Sequence, residues 1–201
     1  MGAQNRFEAV ARRARACAIC QPHLDHPVRP VFTGSARAKI RIIGQAPGAR
    51  VQASGRPFTD PSGDRLRDWM GVSEAEFYDP GLMAITPMGL CFPGLDAKGG
   101  DKPPRPECAP LWQDRFTTAL PAVRLTLLIG RYAQRRHLGP AAKTTLTETV
   151  AAWRDYGPAV LPMPHPSWRN NAWLKQNPWF EAELLPVLKD RVRTAIDPRG
   201  A

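Results

Sequence analysis

Four cysteines, a histidine held between two prolines and a glycine-rich turn are the features of this 201-residue chain with chemistry to offer. Cys17 and Cys20 form a C-x-x-C; Cys91 and Cys108 follow far downstream with sixteen residues between them. No other cysteine is present. In a reducing compartment such thiols serve more often as metal ligands or free thiols than as disulfides. One close pair plus two distant thiols suits a four-thiolate site, for zinc or for an iron–sulfur cluster. The wide gap departs from a zinc ribbon, which pairs two short knuckles. Four unrelated buried thiols, or a redox pair at Cys17 and Cys20, are the alternatives, although no strand precedes Cys17. Spacing alone leaves the metal open.

The turn is GQAPG, Gly44 to Gly48, followed by GRPF ending at Phe58 and then by Asp60. No Gly-Lys-Ser/Thr follows, so it is not a P-loop, and it lacks the dinucleotide pattern G-x-G-x-x-G. Its glycines and prolines fit a backbone that comes close to a ligand. His165 lies in MPHPS, where Pro164 and Pro166 leave the loop little freedom.

These residues need elements to hold them. KIRIIG reads as a strand buried on both faces, as in a parallel sheet. Further strands are expected at 82–86, at 125–129 and in AVLPM before His165. Helices are expected at 4–16, at 62–70 with Ser62 as cap, at 109–120, at 131–139, at 144–156 and at 179–195. The alternation predicts an α/β fold, a three-layer α/β/α sandwich with a short, mostly parallel four-stranded sheet. Ligands in such sheets gather beyond the carboxyl ends of the strands. The loops at 44–48, 88–94 and 162–167 all lie at such ends. A single domain over 1–201 is expected, with 1–37 supplying an N-terminal helix and the first cysteine pair.

The formal net charge is +10. A soluble domain this basic fits a polyanionic partner, nucleic acid first, though a basic surface also serves solubility alone. No apolar run is long enough to span a membrane. The arginine-rich start has no apolar core behind it and is not a secretory signal. A cytoplasmic protein is expected.

Taken in order, IIGQAPG, GRPF, the cysteine quartet and HPS resemble the uracil-DNA glycosylase superfamily. The similarity is greatest to its iron–sulfur branch, the family 4 type, and IGRYAQRRHLG is similar to the segment before that branch's last motif. The resemblance implies a monomeric DNA-repair hydrolase that flips uracil out of single- or double-stranded DNA and cleaves its N-glycosidic bond. It implies a structural [4Fe–4S] cluster on Cys17, Cys20, Cys91 and Cys108. Phe58 is then the aromatic floor under uracil, and Gly44, Gln45, Ala46, Pro47, Gly48 and Met88 line the base pocket. His165 donates a hydrogen bond toward uracil O2, where charge builds as the base departs. Ser167 contacts phosphate, and Trp168 and Arg169 fill the space the base leaves. Asn171 also faces DNA. Arg131, Arg135, Arg136 and Lys175 extend the basic footprint.

Two positions depart from that branch. It carries glutamate in GEAPG, whereas this chain has Gln45 and Ala46 and no carboxylate at either place. Glutamine positions a water but cannot take its proton. Asp60 is the expected replacement, with Asp64 beside it; capping of the next helix is their other reading. The branch also reads uracil with an asparagine where this chain has Pro87. Main chain near Met88 and Gly89, or Asn170 or Asn171, must then read the base. A glycosylase for another deaminated base such as hypoxanthine, a DNA-binding relative with little catalysis, and an unrelated iron–sulfur protein are the competing readings.

Overall fold

A computed structural model describes residues 2–197. The expected span of 1–201 extends past it to residue 1 and residues 198–201, which lie outside the described residues. Strands β1 (Ile40–Ile43), β2 (Met83–Ile85), β3 (Leu125–Ile129) and β4 (Val160–Met163) form one sheet in the order β2-β1-β3-β4, every pair parallel. Ile42 lies opposite Ile85 on one side and Leu127 on the other. Both faces are covered, which is why β1 reads as an almost unbroken apolar run.

The helices are α1 (Ala3–Arg15), α2 (Ala49–Ser54), α3 (Pro61–Met70), α4 (Glu74–Tyr78), α5 (Cys108–Ala119), α6 (Arg131–Leu138), α7 (Leu146–Ala151), α8 (Asn171–Gln176) and α9 (Leu185–Ile196). Ile40, Ile42, Leu125 and Leu127 pack in one core with Leu66 and Trp69 of α3 and Leu188 and Val192 of α9. Phe7 and Ala11 of α1 meet Trp112 and Phe116 of α5 in a second core, which Ala84 of β2 joins. The expected α/β sandwich with a parallel four-stranded sheet is the observed architecture. Among the described residues no helix is long and apolar enough to cross a membrane.

Arg41 interrupts the apolar run of β1 and is buried. It donates to Thr86 Oγ1 at 2.8 Å, to Thr117 Oγ1 at 2.6 Å and to Gln113 Oε1 at 2.8 Å. Burial lowers its pKa to about 10. Gln113 in turn donates to the carbonyls of Thr86 and Pro87 at 3.2 and 2.8 Å. A buried charge is thereby satisfied with hydrogen bonds, and the end of β2 is fixed where it enters the site.

Several boundaries differ from expectation. Asp60, not Ser62, caps α3, because Asp60 has extended backbone and its side chain accepts from Ser62 N. Residues 144–156 divide into α7, opened by a Thr145–Glu148 capping box, and a separate 3-10 turn at Trp153–Tyr156. The C-terminal helix opens with a π turn, Phe180–Leu184, before α9. Pro186 has no N–H and its ring crowds the preceding turn, so ordinary helical pairing is interrupted there.

Candidate active site

Two of the three expected loops reach one pocket, 44–48 and, through His165, 162–167. The third does not, since only Pro87 before it lines the pocket and Gly89, Leu90 and Cys91 face the cysteine cavity instead. Gly44 O accepts from Met88 N, and Gln45 O accepts from Gly89 N, each at 2.9 Å. The Gly44–Gly48 turn is thus stitched to the segment that leaves β2. Gly48 stands at the N-cap of α2, which ends at Gly55 with φ +72°.

Phe58 has φ +56°, the left-handed region that bulky residues avoid. Neighbours hold it there. The Tyr78 hydroxyl donates to the carbonyls of Pro57 and Phe58 at 2.9 and 3.0 Å. The Phe58 ring packs edge-on against Phe77, with centroids 5.9 Å apart. A Cβ at Gly63 would collide with the Phe58 carbonyl, so α3 approaches this residue closely only because position 63 is glycine. The ring tip stands 3.9 Å from where a Cβ on Gly44 would be, so ring and turn face each other.

His165 is held from three sides. Ser167 N donates to Nδ1 at 3.1 Å, and Asn170 Nδ2 donates to the His165 carbonyl at 2.7 Å. Arg65 donates to Ser167 O at 3.3 Å and to Asn171 Oδ1 at 2.8 Å, tying the loop to α3. A backbone N–H can only donate, so Nδ1 is an acceptor and a neutral imidazole carries its proton on Nε2. Burial pushes the His165 pKa down, with Asp60 opposing, so the neutral form is favoured. His165 therefore offers the pocket a donor without a full charge.

Two carboxylates share the pocket with His165, from Asp60 and Asp101. Asp60 Oδ1 accepts from Ser62 N at 3.0 Å and from Ser62 Oγ. Oδ2 has no hydrogen-bond partner among the described residues. Asp64 lies away from the pocket and pairs with Arg67. Sequence reasoning missed Asp101, along with Tyr78 and Arg65. The glycine- and proline-rich segment around Asp101 has no periodicity that would place it.

The other expected residues are distributed unevenly. Gly44, Gln45, Ala46, Pro47, Gly48 and Phe58 line the pocket together with Pro87. Met88 does not; its side chain is buried with Ile43, Ala109 and Leu128, since the pairing of its N–H with Gly44 turns it into the core. The N–H groups of Met88 and Gly89 are consumed by the turn and are not available to a base. Those of Gln45 and Ala46 make no hydrogen bond among the described residues. Trp168 is 70% exposed on the loop after His165. Arg169 crosses from that loop to donate to Gly99 O at 3.2 Å. Ser167 Oγ accepts from Arg169 N at 3.3 Å. Asn170 and Asn171 serve the loop as just described. Arg136 pairs with Asp114 at 2.9 Å and Arg131 donates to Thr144 O, whereas Arg135 and Lys175 are exposed.

A parallel sheet whose loops converge in this way matches a known family over most of its length. The model of the uracil DNA glycosylase superfamily matches residues 31–189. The chain belongs to that superfamily. The matched span holds the Gly44–Gly48 turn, Phe58, both carboxylates and His165. The chain is also similar to the solution NMR structure of a Methanosarcina acetivorans protein named as a candidate uracil DNA glycosylase. That alignment covers 81% of this chain and 98% of the other, at 14% identity and a TM-score of 0.46.

The superfamily match includes Cys91 and Cys108 but begins after Cys17 and Cys20. All four cysteines nevertheless line one cavity, between the end of α1 and the start of α5. Leu90 N donates to Cys108 Sγ at 3.3 Å. Burial raises Cys91 to about 11 and Cys108 to about 12 as isolated thiols. Arg105 and Trp112 line the same cavity, and Arg105 Nε and Trp112 Nε1 are buried without a partner. Among the described residues no three His, Cys, Asp or Glu side chains are placed to hold one metal ion.

Proposed function

We propose that this protein hydrolyses the N-glycosidic bond of uracil in DNA, leaving an abasic site. The observation that carries the reading is the tautomer of His165 set by Ser167 N: a neutral donor on a loop that lines the same pocket as Phe58. Superfamily membership supports DNA glycosylase chemistry. Uracil flipped from the strand stacks on Phe58, within reach of the unbonded N–H groups of Gln45 and Ala46. As the bond from C1′ to the base breaks, the electron pair leaves with the base. His165 Nε2–H stabilises the charge on its oxygen, more in the transition state than in the ground state. Water adds to C1′, and Asp60 Oδ2 takes its proton. Ser62 fixes Oδ1, so the other oxygen is held ready. Trp168 enters the space left in the strand, and Arg169 and Lys175 meet phosphate. We take the protein to act as a monomer in the cytoplasm.

We also propose that the four cysteines hold a structural [4Fe–4S] cluster, a reading supported by their lining one cavity together. The unpartnered donors of Arg105 and Trp112 suit sulfur acceptors inside the cavity. When bound, the cluster would cross-link the chain after α1 to the segment 91–108.

The test is release of base from oligonucleotides carrying one uracil, hypoxanthine or xanthine, in single and double strands. Uracil release supports the proposal. Release of hypoxanthine or xanthine alone favours the reading that Pro87, which offers the base no side-chain donor or acceptor, goes with a different specificity. Tight DNA binding with no release from any substrate overturns the enzymatic reading.

A further inference from the structure

The segment 92–107 carries a flap-like hairpin that reaches the pocket through Asp101. Asp96 N donates to Gly100 O at 2.7 Å and Lys102 N to Gly94 O at 2.9 Å, closing a short hairpin in which Leu95 bridges Asp101. At its tip Asp96 Oδ1 accepts from Lys98 N and Gly100 N, both at 2.8 Å. Phe92 N donates to Gln52 Oε1 at 3.4 Å where the segment begins, and further contacts hold the hairpin itself. Gln45 Nε2 donates to Lys102 O at 3.2 Å, and Arg169 Nη2 donates to Gly99 O at 3.2 Å. Pro104 closes on Gly89, where an added Cβ would meet Pro104 Cβ at 3.0 Å and Ala46 Cβ at 3.3 Å.

The hairpin delivers Asp101 to the pocket that holds Asp60 and His165. Its Oδ2 lies 3.6 Å from where a Cβ on Gly48 would stand, over the turn itself. Asp60 is anchored by Ser62; the Asp101 carboxylate accepts no hydrogen bond from any described residue. The nearest opposite charge is Arg169, which reaches the same hairpin through Gly99 O but makes no hydrogen bond to the Asp101 carboxylate.

We propose that Asp101 is a catalytic residue whose carboxylate faces the deoxyribose and stabilises the positive charge that builds on it as the base leaves. This rests on the glycosidase reading above. The C1′–N bond breaks heterolytically, both electrons going to the base and a cation-like centre forming at C1′ and the ring oxygen. Water then adds to C1′, its proton passes to Asp60, and the departed base anion takes a proton from solvent. Asp101 gains and loses no bond; it offers negative charge from the flap while Asp60 handles the water. In this arrangement Gln45 is a positioning residue, because its amide holds Lys102 and so the hairpin. Asp101 is exposed as a residue, but partial desolvation of its carboxylate, with Asp60 and Asp96 nearby, raises its proton affinity, and Arg169 opposes them. Lys102 is its chain neighbour, and His165 lines the same pocket.

The experiment compares wild type with Asp101→Asn, Asp101→Glu and Arg169→Ala in single-turnover release of uracil at saturating enzyme, with DNA affinity measured separately. Asp101→Asn is expected to slow release by about 100-fold or more while leaving affinity within about twofold. Asp101→Glu is expected to recover part of the rate, because it restores the charge. A saturated rate for Asp101→Asn within about threefold of wild type overturns the proposal. So does a loss of affinity matching Arg169→Ala with the rate intact, which would make Asp101 only a support for Arg169. An inactive wild type fails differently, since it removes the glycosidase reading itself. The exposed hairpin carries Asp101 outside the core, and an unchanged melting temperature verifies that the variants fold.

Discussion

Ser167 donates its backbone N–H to Nδ1 of His165 at 3.1 Å, and that bond decides what the imidazole can do. It leaves the proton of the neutral ring on Nε2, in a residue that lines the pocket. His165→Ala is expected to slow base release by about 10²- to 10³-fold, the cost of one transition-state donor. DNA affinity should be unchanged. Because burial depresses the His165 pKa, the ring stays neutral from the ordinary histidine range upward and charges only on acidification below it. The same depression means that its contribution to stability is present above the unfolded pKa and lost as pH falls. A rate profile for wild type with an inflection above the ordinary histidine range that disappears in His165→Ala would contradict this.

Asp60 separates capping from chemistry. Asparagine caps helices about as well as aspartate, so Asp60→Asn should keep the melting temperature while slowing release by about 10²- to 10⁴-fold. Asp60→Ala should lose the rate and also about 1 kcal/mol of α3 stability, near 2–4 °C in a chain of this size. Thermal melts and single-turnover rates on the same preparations distinguish the two effects. An Asp60→Asn variant with wild-type rate would remove Asp60 from the reaction.

The sheet was legible because buried parallel strands leave continuous apolar runs, as Ile40, Ile42 and Ile43 do. The loops of the site were legible through Pro164, Pro166 and the glycines of 44–48, which announce rigid turns at strand ends. Asp101 was hidden because its position depends on a hairpin docked by long-range contacts to Gln45 and Arg169. Neither contact leaves a periodic trace. Arg41 sits in the strand expected to be buried on both faces, but the partners that satisfy its charge, Gln113 and Thr117, lie on a helix more than seventy residues away and leave no local trace. Met88 followed the apolar pattern into the core rather than the loop's path into the pocket.

The left-handed backbone of Phe58 gives a stability test. Tyr78→Phe removes the hydroxyl that binds the carbonyls of Pro57 and Phe58. The one hydroxyl proton is shared between the two carbonyls, so a loss of about 0.5–1.5 kcal/mol in all is expected. KM should rise more than kcat falls, since the Phe58 ring is less firmly placed for stacking. Gly63→Ala is the harsher variant, because its methyl meets the Phe58 carbonyl. It should both unfold earlier and lose activity. Equal melts for Tyr78→Phe and wild type would show that the strain is held by packing against Phe77 alone.

The cysteine cavity makes a prediction independent of catalysis. Protein reconstituted anaerobically with iron and sulfide should gain a visible charge-transfer band and bind about four iron and four sulfide per chain. Cys17→Ala and Cys108→Ala should each lose that band. Their effects on stability should be similar, because either loss unties the chain after α1 from the flap. Trp112→Phe keeps the ring but removes the buried Nε1–H that has no partner in the protein. If that donor serves cluster sulfur, the variant should shift the reduction potential while keeping the iron content. Stoichiometric zinc with no bound sulfide, after purification or after reconstitution, would replace the cluster by a zinc site and require the cysteines to close in on one ion.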